Sequence, residues 1–184
     1  MEQPTEAARR ALVEAIHGTD LRLVLAVAGG GNAAITDLLD VPGASRTVLE
    51  VRVPYARSAL DELVGPYAPP AGPDDTPASG GAVSLPMAEA MALACRHRAL
   101  ALTDDEPPRA GKAERLLGVA CTAALVTDRH KRGDHRAHIA IAGPDGVAHR
   151  RVELAKGELD RRGEDRVVAD ALLAEIAAAM GLVR

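Results

Sequence analysis

The pattern of apolar and polar residues divides the chain into alternating strands and helices. The least interrupted apolar run is Leu21–Ala28, which is typical of a strand buried on both faces of a sheet. Gly29–Asn32 follow this run and predict a sharp turn into a short helix at Ala33–Leu39. We therefore place this unit of strand, glycine loop and helix at the centre of the fold.

Apolar residues at helical spacing predict further helices. The first is capped by Thr5 and ends at Gly18, a short one covers Ala56–Val64, a long one runs from the cap Ser84 to about Leu102, and the last includes Val168–Ala179. Polar and glycine-rich stretches separate these helices and predict loops, among them Pro66–Gly80 and the charged segment Lys156–Asp165.

Alternating or short apolar runs predict the remaining strands. These are Leu49–Val53, Leu116–Cys121, and a hairpin in which Ala137–Ile141 and Ala148–Leu154 are joined by the turn Gly143–Gly146. Five strands with helices between the early ones indicate a three-layer α/β/α sandwich with a mixed sheet. The length of 184 residues favours a single domain, 1–184.

Composition excludes several classes of function. The net charge of −4 and the absence of Trp and Phe argue against a nucleic-acid-binding protein, which needs positive charge and stacking surfaces. No apolar run approaches the ~18 residues of a membrane-spanning helix. Two cysteines, Cys95 and Cys121, give no disulfide framework, so we expect a cytoplasmic protein.

The glycine loop is the first candidate for binding. Backbone N–H groups at the start of a helix form an anion site, so Gly29–Asn32 predict either a cradle for phosphate or carboxylate, or simply a tight turn that needs positive φ. Between Leu21 and Ile35 there is no Ser, Thr, Cys, Lys, His, Asp or Glu. The loop therefore carries neither a nucleophile nor a base.

A basic segment, Arg129–Arg136, is the second candidate. It is either a solvated loop or, together with Arg150, Arg151 and Lys156, an anion-binding wall, because arginine suits bidentate contact with phosphate. The histidines in and after this segment do not predict a metal site, since His135 and His138 lie three apart at the start of a strand, where their side chains diverge. Cys121, at a strand end, is interpreted as a buried thiol rather than a nucleophile.

The order of several short motifs resembles the carboxy-terminal domain of the CinA family. Gly31, the segment Asp40–Ser45 (DVPGAS), Tyr55 and the segment Gly81–Ser84 (GAVS) occur in the order typical of that family. Stand-alone members of the family include nicotinamide-nucleotide amidases. The resemblance implies a three-layer α/β/α fold, frequent dimers, and a nucleotide-sized pocket at the strand ends.

The chain departs from the family at the positions that carry its chemistry. Counting back from Asp40, the family's serine corresponds to Ala28 and its glutamate to Val27, while its lysine corresponds to Leu60. Covalent amide hydrolysis requires a hydroxyl nucleophile and a group that activates it, and neither is present at these positions. We therefore predict no catalytic residue of the family type.

The resulting hypothesis is a catalytically altered CinA-like domain that binds a small phosphorylated nucleotide, without cofactor or metal, as a homo-oligomer. The expected ligand-binding residues are Gly29, Gly30, Gly31, Asn32, Ser45, Tyr55, Thr122, Lys131, Arg132 and Arg136. Two alternatives stay open. One is a nicotinamide-nucleotide amidase in which other residues activate water, and the other is a structural or interaction module.

Overall fold

The computed structural model describes residues 3–69, 81–105, 113–128 and 133–183. Its sheet contains β1 (Arg22–Ala28), β2 (Val48–Arg52), β3 (Leu116–Ala124), β4 (His135–Gly143) and β5 (Gly146–Leu154). The strand order is β2-β1-β3-β4-β5. β1 pairs in parallel with β2 and β3, whereas β3–β4 and β4–β5 are antiparallel. The predicted mixed sheet of five strands is confirmed.

Helices cover both faces of this sheet. The described residues form α1 (Glu6–His17), α2 (Ala33–Asp40), α3 (Ala44–Thr47), α4 (Arg57–Val64), α5 (Leu85–Leu102) and α6 (Arg161–Ala179). One hydrophobic cluster packs α1, α2 and α6 against one face, and a second packs α4 and α5 against the other. The predicted three-layer α/β/α arrangement is therefore confirmed.

The unbroken apolar run of β1 follows from this sandwich. Leu23, Leu25 and Val27 belong to the cluster beneath α1, α2 and α6, while alternate residues belong to the cluster beneath α4 and α5. Because successive strand residues point to opposite faces, a central strand covered on both sides must be apolar at every position. On the second face α5 lies very close to β3, where a Cβ at Gly118 would overlap the backbone of Ala92.

The predicted helix caps Thr5 and Ser84 are confirmed. Thr5 Oγ1 accepts a hydrogen bond from the Ala8 amide at 3.2 Å, and Ser84 Oγ accepts one from the Met87 amide at 3.4 Å. None of the helices in the described part of the chain is long and apolar enough to cross a membrane.

Several boundaries are shifted by one or two residues, and three features differ from the prediction by more. β3 extends three residues past Cys121, the single turn α3 was not predicted, and α6 begins at Arg161, inside the segment predicted to be a charged loop. Short turns such as α3 carry too few residues for a periodic signal. The predicted loop Pro66–Gly80 begins within a 3₁₀ turn at Gly65–Tyr67, and residues 70–80 lie outside the described residues.

Candidate functional site

A cavity of about 250 Å³ lies at the carboxyl ends of the parallel strands. β1 contributes Ala28, the segment after β2 contributes Tyr55, the start of α4 contributes Arg57, and β3 contributes Thr122. The cavity is completed by Gly29, Pro54, Ala56, Leu60, Ala82, Val83 and Ala123. In α/β sheets this edge is where ligands bind, because the loops that follow the strands leave a crevice there.

Two apolar side chains in the cavity lining occupy the positions at which the family resemblance expects catalytic groups. Ala28 ends β1 and Leu60 lies on α4, and both belong to the hydrophobic cluster on the α4/α5 face. Ala28 and Leu60, which the resemblance matches to the family's serine and lysine, therefore line one cavity in this chain. Neither a methyl nor an isobutyl group can attack a carbonyl or transfer a proton.

Tyr55 and Arg57 lie at the mouth of the cavity. Tyr55 is 78% exposed, so its ring and hydroxyl can reach a ligand from solvent. The Arg57 guanidinium makes an exposed ion pair with Asp61, one turn further along α4, at 2.8 Å. Exposed pairs of this kind are weak, so a ligand anion can compete for the guanidinium.

Thr122 and Arg136 hold one wall of the cavity. The Thr122 hydroxyl is buried and donates a hydrogen bond to the Ala82 carbonyl at 2.7 Å. The Arg136 guanidinium donates to the Val83 carbonyl at 3.3 Å. The structure brings both predicted residues beside the cavity, and it commits the Thr122 hydroxyl proton to the backbone that leads into α5.

The glycine loop makes a tight turn at the rim of the same cavity. Gly29 and Gly31 have φ of 86° and 89°, which favour glycine. A Cβ at Gly30 would overlap the Leu125 side chain, so this glycine is required by packing against the segment after β3. Of the two interpretations of the loop, the tight turn with positive φ is observed.

The amides of the loop already hold a carboxylate, which belongs to the chain itself. Asp165 Oδ1 accepts hydrogen bonds from the Gly31 and Asn32 amides at 2.8 and 3.1 Å, and its Oδ2 accepts one from the Ala33 amide at 3.0 Å. The amides predicted to hold an external anion are therefore paired, in this structure, with an intramolecular carboxylate. Asp165 lies in a stretch predicted to be a loop, more than 130 positions from Gly31. No local sequence pattern could therefore indicate this contact.

The first turn of α6 makes further contacts with the same region. Arg161 donates to the carbonyls of Gly29 and Val126 at 3.1 and 3.0 Å. The fully buried Glu164 accepts from the Val126 amide at 2.7 Å and lies 2.6 Å from His135 Nδ1. Contacts of Arg161 and Glu164 thus tie the glycine loop, the segment after β3 and the start of β4 to one helix.

Ser45 is not part of this site. It lies in α3, immediately before β2, and the first residue of β2 pairs with Leu23 near the start of β1. Because β1 and β2 are parallel, Ser45 lies at the amino ends of these strands. At ~3.3 Å per residue it is roughly 20 Å from the cavity at their carboxyl ends. The expectation that it joins the glycine loop is corrected, while Lys131 and Arg132 lie outside the described residues.

The remaining candidates for chemistry are structural in this fold. Burial raises the pKa of the Cys121 thiol to about 12, and its Sγ lies 3.5 Å from the Gly30 carbonyl oxygen, beneath α6. A thiol with this pKa is a poor nucleophile at neutral pH. Within residues 3–69, 81–105, 113–128 and 133–183, no group of three or more metal-ligating side chains converges.

Sequence comparison with known proteins finds a relative that matches part of the chain. No family model matches the chain. It is 37% identical over 108 residues to a CinA-like protein of Chlorobium luteolum, a match that covers 56% of this chain but 24% of that protein. The chain therefore matches about a quarter of the length of this relative.

Solved structures agree over nearly the whole chain. The competence/damage-inducible protein CihA of Agrobacterium tumefaciens superposes with a TM-score of 0.70 at 19% identity, covering 97% of this chain and 98% of that one. A CinA-superfamily protein of Enterobacter cloacae gives 0.68 at 16% identity, covering 100% and 95%. At such identities the likeness establishes a shared fold, that of CinA-superfamily structures.

Proposed function

We propose that this protein is a CinA-like domain that has lost amidase chemistry and binds a small phosphorylated nucleotide in the cavity at the strand ends. The observation that carries the proposal is that Ala28 and Leu60 line the same cavity. A site that keeps its shape but exchanges a nucleophile and its activating group for apolar side chains retains binding and loses covalent catalysis.

The lining suits the parts of a nucleotide. Tyr55 offers an aromatic face and a hydroxyl for a base or sugar, while the apolar floor at Ala28 and Leu60 excludes water. Because Asp165 holds the glycine-loop amides, the phosphate is assigned to the cations beside the cavity. These are Arg57 at the mouth and Arg136 behind Val83.

Thermal shift across a panel of pyridine and other mononucleotides tests binding. A nucleotide at about 100 times its Kd is expected to raise Tm by roughly 5–10 °C, by mass action. Ala28→Met fills the cavity and is expected to abolish the shift. Ala148→Met, the same change on the exposed edge strand β5, is the matched control. No stabilisation of the unmodified protein by any nucleotide would reject the proposal and favour an interaction module.

Ammonia release from nicotinamide mononucleotide tests the loss of chemistry. The natural protein is expected to release none above background, whereas the double variant Ala28→Ser with Leu60→Lys is expected to gain measurable hydrolysis. Each single variant is the control, because serine without lysine, or lysine without serine, lacks half of the machinery. Ammonia release by the natural protein would instead support an active amidase that uses other residues.

A further inference from the structure

We propose that the glycine loop is an anion-binding site whose ligand is the chain's own Asp165, so that α6 closes this loop to external phosphate or carboxylate. The site uses the amides at the start of α2, beneath α6, and not the cavity side of the loop. The inference therefore goes beyond the proposed nucleotide binding and does not depend on what occupies the cavity.

The geometry is that of a bound carboxylate. Asp165 Oδ1 accepts three hydrogen bonds, from the Gly31 amide at 2.8 Å and from the amide and side-chain nitrogen of Asn32 at 3.1 Å each. Oδ2 accepts the fourth, from the Ala33 amide at 3.0 Å. Hydrogen bonds to an ionised oxygen are stronger than neutral ones, and here both oxygens are used.

These donors need an acceptor from elsewhere. The first amides of a helix have no partner within the helix, and the Asn32 side chain makes no capping hydrogen bond to α2. Asn32 instead donates to Asp165. The carboxylate thus caps α2 from another helix and places a negative charge at the positive end of its dipole.

Neighbouring contacts keep the carboxylate in place. Arg161, one turn earlier on α6, donates to the Gly29 carbonyl, and the buried Glu164 binds the Val126 amide. A shift of the backbone that carried Asp165 away from the loop would also break the contacts of Arg161 and Glu164. An external anion would have to replace the four hydrogen bonds that Asp165 accepts.

Chemical rescue tests the assignment. Asp165→Ala is expected to lower Tm by roughly 5–10 °C, and about 0.1 M formate, at constant ionic strength with chloride, is expected to restore about half of the loss by occupying the vacated site. Asp165→Asn, which fills the space with an amide, is expected to be destabilised but not rescued. Leu38→Ala, a buried truncation on α2, supplies a destabilised control without an anion site.

The result that overturns the proposal is an equal effect of formate on Asp165→Ala and Leu38→Ala. Stabilisation of the unmodified protein by formate to the same extent would overturn it as well. If Asp165→Ala does not fold, hydrogen exchange of the natural protein decides. The amides of Gly31, Asn32 and Ala33 are expected to exchange slowly, and exchange at the rate of an open loop would reject the assignment.

Discussion

At the residue scale, both cysteines are inert because the fold buries them. Burial raises the pKa of Cys95 and of Cys121 to about 12, and both thiols are fully buried. Neither forms thiolate at neutral pH, and neither is accessible to reagents. We expect no thiol to react with a disulfide reagent within minutes at pH 7 or pH 9 in the folded protein, and two to react in guanidinium. Rapid reaction of one thiol in the folded protein would contradict this.

Thr122 is a positioning residue at the same scale. Its hydroxyl links the end of β3 to the Ala82 carbonyl at 2.7 Å. Thr122→Val keeps the volume but leaves that carbonyl without its donor, and is expected to cost about 1–3 kcal/mol in urea denaturation. Thr122→Ser retains the hydroxyl and is the control. A larger loss for Thr122→Ser than for Thr122→Val would show that the methyl group, and not the hydrogen bond, matters.

At the element scale, α6 is tied to the sheet by a buried polar contact. Glu164 is fully buried and connects α6 to His135 on β4 and to the Val126 amide. Glu164→Ala leaves the buried His135 ring and the half-buried Val126 amide without their acceptor, and is expected to cost about 3–5 kcal/mol of unfolding free energy. Glu158→Ala, an exposed carboxylate just before the helix, is expected to change it by less than about 0.5 kcal/mol.

A double-mutant cycle with His135→Ala separates the contact from general damage to the helix. The two substitutions share one hydrogen bond, so their effects are expected to be less than additive. Strict additivity would mean that Glu164 stabilises α6 through the Val126 amide alone.

An ionic network joins the helices on the same face. Arg166 of α6 lies 2.6 Å from Asp37 of α2 and 2.9 Å from Asp170, which in turn is 2.7 Å from Arg9 of α1. These side chains are mostly buried, so water screens them less than it screens surface pairs. The network fixes how α1, α2 and α6 lie relative to one another, and with them the carboxylate that caps the glycine loop.

At the scale of the whole molecule, His138 makes stability depend on pH. Burial, and then the positive charges of Arg136, Arg151 and His149, lower its pKa from the ordinary 6.5. The unfolded chain therefore binds a proton near pH 6.5 that the folded protein takes up only at lower pH. The contribution of His138 to stability is therefore expected to fall as pH decreases through 6.5 and to level off below the folded pKa.

Replacing the titrating ring isolates this contribution. His138→Asn is expected to lose less Tm than the natural protein between pH 8 and pH 5.5. The nearby carboxylates, Glu153 paired with Arg151 and Glu89 beside His149, are present in both proteins and cancel in the comparison. The same pH dependence in both proteins would show that His138 does not contribute.

The sequence by itself determined the layers and most of the elements. Leu21–Ala28 could only be a strand covered on both faces, and Thr5 and Ser84 marked their helices, because burial and capping act over a few neighbouring residues. The family resemblance also implied a pocket at the strand ends with Tyr55 among its residues, and it matched Ala28 to the family's serine. Both residues line the cavity found there.

Only the tertiary structure decided what the glycine loop binds and which residues share the cavity. Asp165 reaches the loop from the last helix. Ser45 precedes β2, which runs parallel to β1, so it lies at the amino ends of these strands, opposite the cavity. Such contacts join residues distant in the chain, so no local pattern encodes them. The glycine loop provides the amides of an anion site, and Asp165 of α6 provides the anion.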